Sequence, residues 1–291
     1  MDWQAPALTR ALDQWLEEDL GRGDLSAVAL QGKQGHAHWV AKQPGRFCGG
    51  PLVQRLFQRL DPALKVRCLK EDGNTVAVGE RLLELEGSAS ALVAGERTAL
   101  NLAMRLSGIA TATATLMAEL AGSGVRLADT RKTTPGLRVL EKYAVRCGGG
   151  INHRMGLDDA AMLKENHIAW AGGITAAIAA VRAQAPWPAA VIVEAETEAQ
   201  AIEAVQAGAN GVLLDEFTPE QLLDLVPRLR ASRGNGVVLE ASGIQPEQLK
   251  AYAATGIDLI STSAPVTRSC WLDLSMRFSP IASLGAMPTL E

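Results

Sequence analysis

From Val125 onward, the sequence alternates short apolar runs with amphipathic segments, and this alternation restricts the fold more than any other feature. The apolar runs have the length of strands and cover residues 125–128, 161–163, 191–193, 211–214, 237–239 and 259–260. Apolar residues at helical spacing lie between them. Repeated strand–helix units form a parallel sheet that is buried on both faces, and connections of one hand favour a barrel. We therefore predict an α/β barrel over this part of the chain.

The first third of the sequence lacks this alternation and predicts a separate α+β layer. Leu8, Leu12 and Leu16 recur at helical spacing before Gly21, which predicts an opening helix. Further patterns predict strands at residues 35–41, 65–69 and 83–86, a helix at 51–60, and a long helix at 91–120 that is interrupted near Gly108. The apolar tail at 268–278 is expected to return to this layer.

Composition argues against several classes of protein. The net charge of −4 at pH 7, without a basic tail or an arginine-rich arm, argues against nucleic acid as the main partner. The chain opens without the pattern of a signal peptide, and no apolar run approaches the roughly 18 residues of a membrane span. The four cysteines form no CxxC pair, so we expect neither a disulfide nor a cysteine metal site, and a cytoplasmic location.

A charged or hydroxyl side chain follows each predicted barrel strand. These side chains are Asp129, Lys164, Glu194, Asp215, Glu240 and Ser261. A helix-cap role explains any one of them, but Ser, Thr and Asn are better caps than Lys or Glu. Because the carboxyl ends of barrel strands form the active face, we predict that these residues outline one site.

The stretch at 129–168 carries a dense set of cations and three consecutive glycines at 148–150. Cations are costly to bury without partners, so the stretch predicts a concave surface that faces anions. A small ligand with two carboxylates would suit a cluster of Arg131, His153, Arg154 and Lys164. The glycines permit close approach of the backbone to a ligand, with a flexible linker as the alternative.

Carboxylates and small hydroxyl-rich loops complement these cations. Glu194 and Asp215 can hold Mg²⁺ or sugar hydroxyls, or can balance a cationic transition state. The loops after the last two strands, at 242–243 and 261–264, lie where barrels commonly bind phosphate. Two anion sites with a carboxylate pair predict the transfer of a phosphorylated sugar to a dicarboxylate.

Three segments resemble those of a known family. LEEDLGRGDLS spans residues 16–26, GERTALNLAMRLSGIATAT spans 95–113, and 129–168 contains DTRKTTPG, KYAVRCGGGINHR and LKENHI. Together they are similar to motifs of the quinolinate phosphoribosyltransferase family, also called carboxylating nicotinate-nucleotide pyrophosphorylase. The resemblance covers nearly the whole chain. The sequence lacks the acidic pair and TGGT loop of the Rossmann-like phosphoribosyltransferases.

The resemblance implies an α/β fold with two domains and a homodimer. It implies an α+β sandwich from residues 1–115 joined by the tail 268–291, and an incomplete, open α/β barrel from 116–267. The implied enzyme is a pentosyltransferase that joins quinolinate to 5-phosphoribosyl-1-pyrophosphate, with Mg²⁺ as cofactor. Its products are nicotinate mononucleotide, pyrophosphate and CO₂, in NAD biosynthesis.

The resemblance also implies roles for individual residues. The residues around quinolinate are Arg131, His153, Arg154 and Lys164, with Arg97 supplied by the partner subunit. Those that serve the phosphoribosyl pyrophosphate and its Mg²⁺ are Lys132, Glu194 and Asp215. The 5-phosphate contacts are Ser242, Gly243, Ser263 and Ala264. The catalytic residues are Lys132, Lys164, Glu194 and Asp215. On its pattern alone, Arg97 belongs to the solvated face of a helix.

Two departures from the family pattern fall in the phosphate loops. Ile244 stands where the family often has Gly or Asn, and residues 261–267 read STSAPVT, one residue longer than the family's loop. The nearest rival is the molybdenum-transport-associated paralogue, which shares DTRKTTPG, but KYAVRCGGGINHR and LKENHI favour the quinolinate enzyme. A catalytically silent homologue is the other alternative, and the full set of charged strand-end residues argues against it.

Overall fold

The computed structural model describes residues 1–233 and 236–280. The helices are α1 (Pro6–Leu20), α2 (Gly50–Leu60), α3 (Ala89–Glu119), α4 (Arg138–Cys147), α5 (Glu165–Ala171), α6 (Ile174–Gln184), α7 (Glu198–Gln206), α8 (Pro219–Arg233), α9 (Leu249–Ala253) and α10 (Ala264–Thr267). The strands are β1 (Gln34–Ala41), β2 (Gly45–Arg46), β3 (Lys65–Cys68), β4 (Thr75–Val76), β5 (Arg81–Ser88), β6 (Arg126–Ala128), β7 (Ala161–Leu163), β8 (Val191–Ala195), β9 (Gly211–Leu214), β10 (Val238–Ala241), β11 (Leu259–Ser261) and β12 (Leu274–Pro280). Each predicted strand is present within a few residues of its predicted bounds. None of the helices in the described ranges is both long enough and apolar enough to cross a membrane.

The first compact unit contains residues 1–111 and the segment that begins at Ser269. Its main sheet is antiparallel, with strand order β12-β1-β5-β3. Ala37, Trp39 and Ala41 alternate along β1 and are buried, so one face of the sheet packs on the core. The expected return of the tail to this layer is confirmed, because β12 pairs with β1 along its whole length.

Helix α3 runs without interruption, so the predicted break near Gly108 is wrong. A Cβ atom at Gly108 would lie 2.1 Å from the carbonyl oxygen of Cys270. The glycine therefore gives the tail room to pass against the helix, and the N–H of Leu272 donates to the carbonyl of Met104 at 3.0 Å. Glycine costs about 1 kcal/mol of helix propensity relative to alanine, and tertiary packing overrides that cost here.

The second compact unit, Ala112–Arg268, contains the predicted parallel sheet. Its six strands lie in the order β6-β11-β10-β9-β8-β7, and all neighbouring pairs are parallel. Within the described part of the chain, no ladder joins β6 to β7, and Ile151 instead forms a single parallel bridge to Ala128. The sheet is therefore an open barrel, and the predicted fold class is confirmed.

The barrel strands present two different faces. Side chains such as Val193 and Val212 belong to the apolar core that the helices cover. The residues that alternate with these core side chains along each strand lie on the opposite face of the sheet. On that face, Glu194 is in register with Leu213 of the next strand, and Leu213 is in register with Glu240 of the strand after it. Neighbouring strands are about 4.8 Å apart, so these three side chains form one row, which we call the interior row.

Candidate active site

A cavity of about 710 Å³ lies at the carboxyl ends of the barrel strands. The predicted site residues that line it are Arg131, Lys132, His153, Arg154, Lys164, Glu194, Asp215, Ser242, Gly243, Ser263 and Ala264. The structure thus brings the predicted cations, carboxylates and loops of the barrel unit together. Arg97 lies in the first unit, on α3, with an exposed side chain. Its contribution to a partner's site stays a prediction, as do the individual roles of the other residues.

Arg131 and Arg154 form a positive part of the cavity wall. Nη1 of Arg154 donates to the carbonyl oxygen of Ala160 at 2.9 Å. Burial lowers the pKa of the Arg154 guanidinium, and the positive charge of Arg131 lowers it further. A guanidinium nevertheless stays charged at neutral pH. Two neighbouring like charges in a concave site favour the binding of an anion between them.

His153 is held at both ring nitrogens. Nδ1 accepts the backbone N–H of Arg154 at 2.7 Å, so we assign the proton of the neutral ring to Nε2. Nε2 lies 3.2 Å from Oε2 of Glu240, a residue that is 3% exposed. The contact fixes the orientation and the tautomer of the imidazole. Sequence analysis expected Glu240 only to outline the site and missed its pairing with His153.

Asp129 does not line the cavity, so the expectation that it outlines the site with the other strand-end residues is wrong. It is 1% exposed and forms an ion pair with Lys142, which is fully buried. Asp129 Oδ2 accepts from Nδ2 of Asn152 at 2.6 Å, and Oδ1 accepts the backbone N–H of His153 at 2.9 Å. Lys142 also donates to the carbonyl oxygen of His153 at 2.9 Å. Burial raises the pKa of the Asp129 carboxyl, and its three hydrogen-bond donors offset part of that rise.

We call Asp129, Lys142 and Asn152 the buried clamp, because together they fix the backbone of His153. Sequence analysis missed Lys142 and Asn152. Lys142 lies on α4 between the buried residues Leu140 and Ala144, and a cation among buried residues of a helix needs a partner. That position was the available signal, whereas Asn152 has no such local signal.

The loop between β6 and α4 carries Arg131 and Lys132 and is held by Glu141. The Glu141 side chain is fully buried. It accepts hydrogen bonds from the backbone N–H and from Oγ1 of Thr134, both at 2.8 Å. A buried carboxylate with two donors holds a loop firmly, so α4 anchors the segment that brings both cations to the cavity.

Two carboxylates of the cavity, those of Glu194 and Asp215, have partners within the barrel unit. Lys164 forms an ion pair with Glu194, so a residue predicted for quinolinate touches one predicted for the sugar. The Lys164 side chain is 49% exposed, which leaves its ammonium accessible to a ligand. Ser242 donates to Oδ1 of Asp215. Glu216, directly after Asp215, has φ of 59°, a conformation that is costly outside glycine and is often found at functional sites.

Both predicted phosphate loops lie at the cavity. Gly243 has φ of 74°, which glycine adopts without strain. Ile244, a departure from the family pattern, lines the cavity but is 7% exposed and packs into the apolar core. In the second loop, the N–H of Ala264 donates to Oγ1 of Thr262 at 3.1 Å. Arg268 also lines the cavity, and sequence analysis missed it because it treated the residue as part of the tail.

An open α/β barrel whose strand ends gather cations, carboxylates and small loops defines an enzyme for anionic substrates. The chain belongs to the quinolinate phosphoribosyltransferase family. The model of the family's C-terminal domain matches residues 109–277, and that of its N-terminal domain matches residues 24–107.

Named relatives match almost the whole chain. A probable nicotinate-nucleotide pyrophosphorylase (carboxylating) of Synechocystis sp. is 46% identical over 270 residues, which cover 91% of this chain and 90% of the relative. The nicotinate-nucleotide pyrophosphorylase (carboxylating) of Homo sapiens is 36% identical over 273 residues, 93% of this chain and 91% of the relative. The solved structure of nicotinate-nucleotide pyrophosphorylase from Francisella tularensis matches with a TM-score of 0.89 at 35% identity, covering 95% of this chain and 98% of that chain. The family predicted from the sequence motifs is confirmed.

Proposed function

We infer that this chain transfers the phosphoribosyl group of 5-phosphoribosyl-1-pyrophosphate to quinolinate and decarboxylates the product. The reaction gives nicotinate mononucleotide, pyrophosphate and CO₂ and is a step of NAD biosynthesis. One observation carries the inference: in a chain of this family, a single cavity holds cations suited to a dicarboxylate beside carboxylates suited to a phosphorylated sugar.

In the first chemical step, the pyridine nitrogen of quinolinate replaces pyrophosphate at C1 of the sugar. Cleavage of the C1–oxygen bond gives the sugar the character of an oxocarbenium ion, and we propose that Glu194 and Asp215 stabilise its positive charge. The pyridine nitrogen is a modest nucleophile, so its orientation matters more than activation by a base. Arg131 and Arg154 supply that orientation by binding the two carboxylates.

The second chemical step is the loss of CO₂. Alkylation makes the ring nitrogen cationic, so it stabilises the electron pair that stays on C2 when the 2-carboxylate departs as CO₂, and C2 then takes up a proton. Tight ion pairing with the departing carboxylate would oppose its loss. We therefore expect the strongest cationic contacts at the carboxylate that remains on the ring.

The phosphates of the second substrate are proposed to bind on the other side of the cavity. Lys132 and Arg268 supply positive charge, and the loops at 242–243 and 263–264 supply small side chains that admit a phosphate. Mg²⁺ is the proposed cofactor. Glu194 and Asp215 offer the carboxylate oxygens that this cation prefers, and bound Mg²⁺ would neutralise the pyrophosphate.

We propose that the chain works as a homodimer in which each subunit gives Arg97 to its partner's site. The support is the GERTALNLAMRLSGIATAT motif at 95–113 and the exposure of Arg97 on α3. A two-fold dimer makes such an exchange reciprocal. We also propose a cytoplasmic location, since phosphoribosyl pyrophosphate carries several charges and does not cross membranes unaided.

The test of the function is one assay with two readouts. The purified protein is incubated with quinolinate, phosphoribosyl pyrophosphate and Mg²⁺, and nicotinate mononucleotide and CO₂ are followed together. We expect equal amounts of both products. Nicotinate in place of quinolinate is the control and should release no CO₂. A folded protein that forms neither product would contradict the proposal and favour the paralogue or a silent homologue.

Quinolinate alone should stabilise the folded protein, because it binds the native cavity. At a hundredfold excess over its Kd, a ligand raises the free energy of unfolding by about 2.7 kcal/mol, which is measured as a higher Tm. Arg154→Ala should lose most of the shift. Arg228→Ala should keep it, because Arg228 is exposed and pairs with Glu198 and Asp224 on the surface. Equal shifts in the two variants would count against a dicarboxylate site at Arg154.

A further inference from the structure

Glu240 lines the cavity, but the proposed function assigns it no role. It lies in the interior row on β10, in register with Leu213 and with Leu259. Glu194 lies in the same row on the far side of Leu213. Two residues farther along the chain, just past the end of β10, Ser242 contacts Asp215. Glu240 therefore lies in the same layer as Glu194 and one layer deeper than Asp215, the other carboxylate proposed for the sugar.

Among the residues that the structure describes, only one oxygen of this carboxylate has a hydrogen-bond partner. Oε2 accepts from Nε2 of His153 at 3.2 Å. Oε1 is buried and finds no hydrogen-bond partner within residues 1–233 and 236–280. A buried polar atom without a partner costs about as much as the hydrogen bond that it lacks, and more when it is charged. Glu240 lines the cavity although it is 3% exposed, and Oε1 itself has almost no accessible surface. A small shift of the side chain toward the cavity therefore lets a ligand provide the missing donor.

The neighbouring histidine cannot provide that donor. Its Nε2 proton is directed at Oε2, and its Nδ1 accepts the N–H of Arg154. Quinolinate cannot provide it either, because the ionised dicarboxylate and its ring nitrogen offer only acceptors. Of the two substrates, the phosphoribosyl substrate alone carries hydroxyl donors, on its ribose.

We propose that Oε1 of Glu240 accepts a hydrogen bond from a ribose hydroxyl of the phosphoribosyl substrate. This inference rests on the proposed function and adds a third carboxylate to the sugar site. Glu240 then touches both halves of the reaction: Oε1 binds the sugar, and Oε2 orients the imidazole of His153, which faces the dicarboxylate. Binding of the sugar fixes the carboxylate and, through it, the imidazole.

The test compares Glu240→Gln with His153→Asn by titration calorimetry and steady-state kinetics. Glutamine keeps an acceptor for His153 but presents an N–H₂ group, a donor, to the ribose. We expect Glu240→Gln to weaken binding of phosphoribosyl pyrophosphate, and to lower kcat/KM for it, roughly 10- to 100-fold. Its Kd for quinolinate should change less than about threefold, while His153→Asn should show the opposite pattern.

Unfolding without ligand gives an independent readout. Glu240→Gln removes a buried charge that lacks a full set of donors, so its urea midpoint should equal or exceed that of the wild type. A purely structural role for Glu240 predicts a lower midpoint instead, and that result would overturn the proposal.

Other outcomes would also overturn it. Unchanged binding of both substrates would mean that water alone satisfies Oε1. Weaker binding of quinolinate alone would mean that Glu240 acts only through His153. A change confined to the Mg²⁺ dependence would place Glu240 on the cation rather than on the sugar.

One outcome separates this inference from the proposed function. If the wild type forms no product but binds phosphoribosyl pyrophosphate in a way that depends on Glu240, the result contradicts the proposed function and supports this inference.

Discussion

Replacing Lys142 with methionine should lower the free energy of unfolding by about 3–5 kcal/mol. The ion pair of Lys142 with Asp129 is buried on both sides. Removal of the ammonium leaves a buried carboxylate without its main partner, and the carbonyl oxygen of His153 also loses a donor. Urea unfolding, read as a change in midpoint and slope, measures the effect.

The surface pair of Arg59 with Asp13 is the matched control for this substitution. Its side chains are 44% and 47% exposed, so Arg59→Met should cost less than about 1 kcal/mol. Adding Asp129→Asn to Lys142→Met should recover part of the loss, because no charge is then left buried. A Lys142→Met variant no less stable than Arg59→Met would show that the buried clamp does not hold the barrel unit together.

Mixing two inactive variants should restore activity if the proposed dimer exchanges Arg97. Arg97→Ala and Lys164→Ala should each cost about 2–5 kcal/mol of transition-state binding, or roughly 30- to several-thousand-fold in kcat/KM, because each removes a cation from a carboxylate. A mixed dimer has one site with both residues intact. Random exchange of equal amounts should therefore give about a quarter of wild-type activity, measured as nicotinate mononucleotide formed per subunit.

Two controls make the mixing experiment decisive. A mixture of Lys164→Ala with Arg154→Ala should stay inactive, because Lys164 and Arg154 line the cavity of one subunit. Each cavity of the mixed dimer then lacks one of the two side chains, and the partner cannot replace it. Subunit exchange is shown independently with subunits of different mass. Exchange without recovery in the Arg97 mixture would exclude a site shared between subunits.

Local pattern was sufficient to predict the strands and the face that carries the site. Short apolar runs define barrel strands, and a parallel sheet places the residues that follow them at one edge. For this reason Lys164, Glu194 and Asp215 line the cavity, as predicted from their positions after the strands. The role of Gly108 was misread, because the glycine makes room for a tail segment that lies far away in the sequence.

The local sequence pattern did not reveal contacts between side chains that are distant in the chain. Asp129 has the position of a site residue, but Lys142 and Asn152 draw its carboxylate into the buried clamp. Glu240 was recognised as a strand-end residue, whereas its contact with His153 joins segments that are distant in the chain. Such partners depend on how strands and loops meet, and one sequence shows only that a buried charge must have some partner.

The pairing of β12 with β1 has a consequence for the order in which the two sheets are completed during synthesis. β1 lies between β5 and β12, and of the strands within residues 1–233 and 236–280, β12 leaves the ribosome last. The six parallel strands are contiguous in the chain, so their whole sheet emerges before β12 does. Until then, β1 presents an unpaired edge, which is a template for pairing with other chains. The antiparallel sheet is thus completed only after the parallel sheet has emerged, and truncation of the tail should favour aggregation of newly made protein.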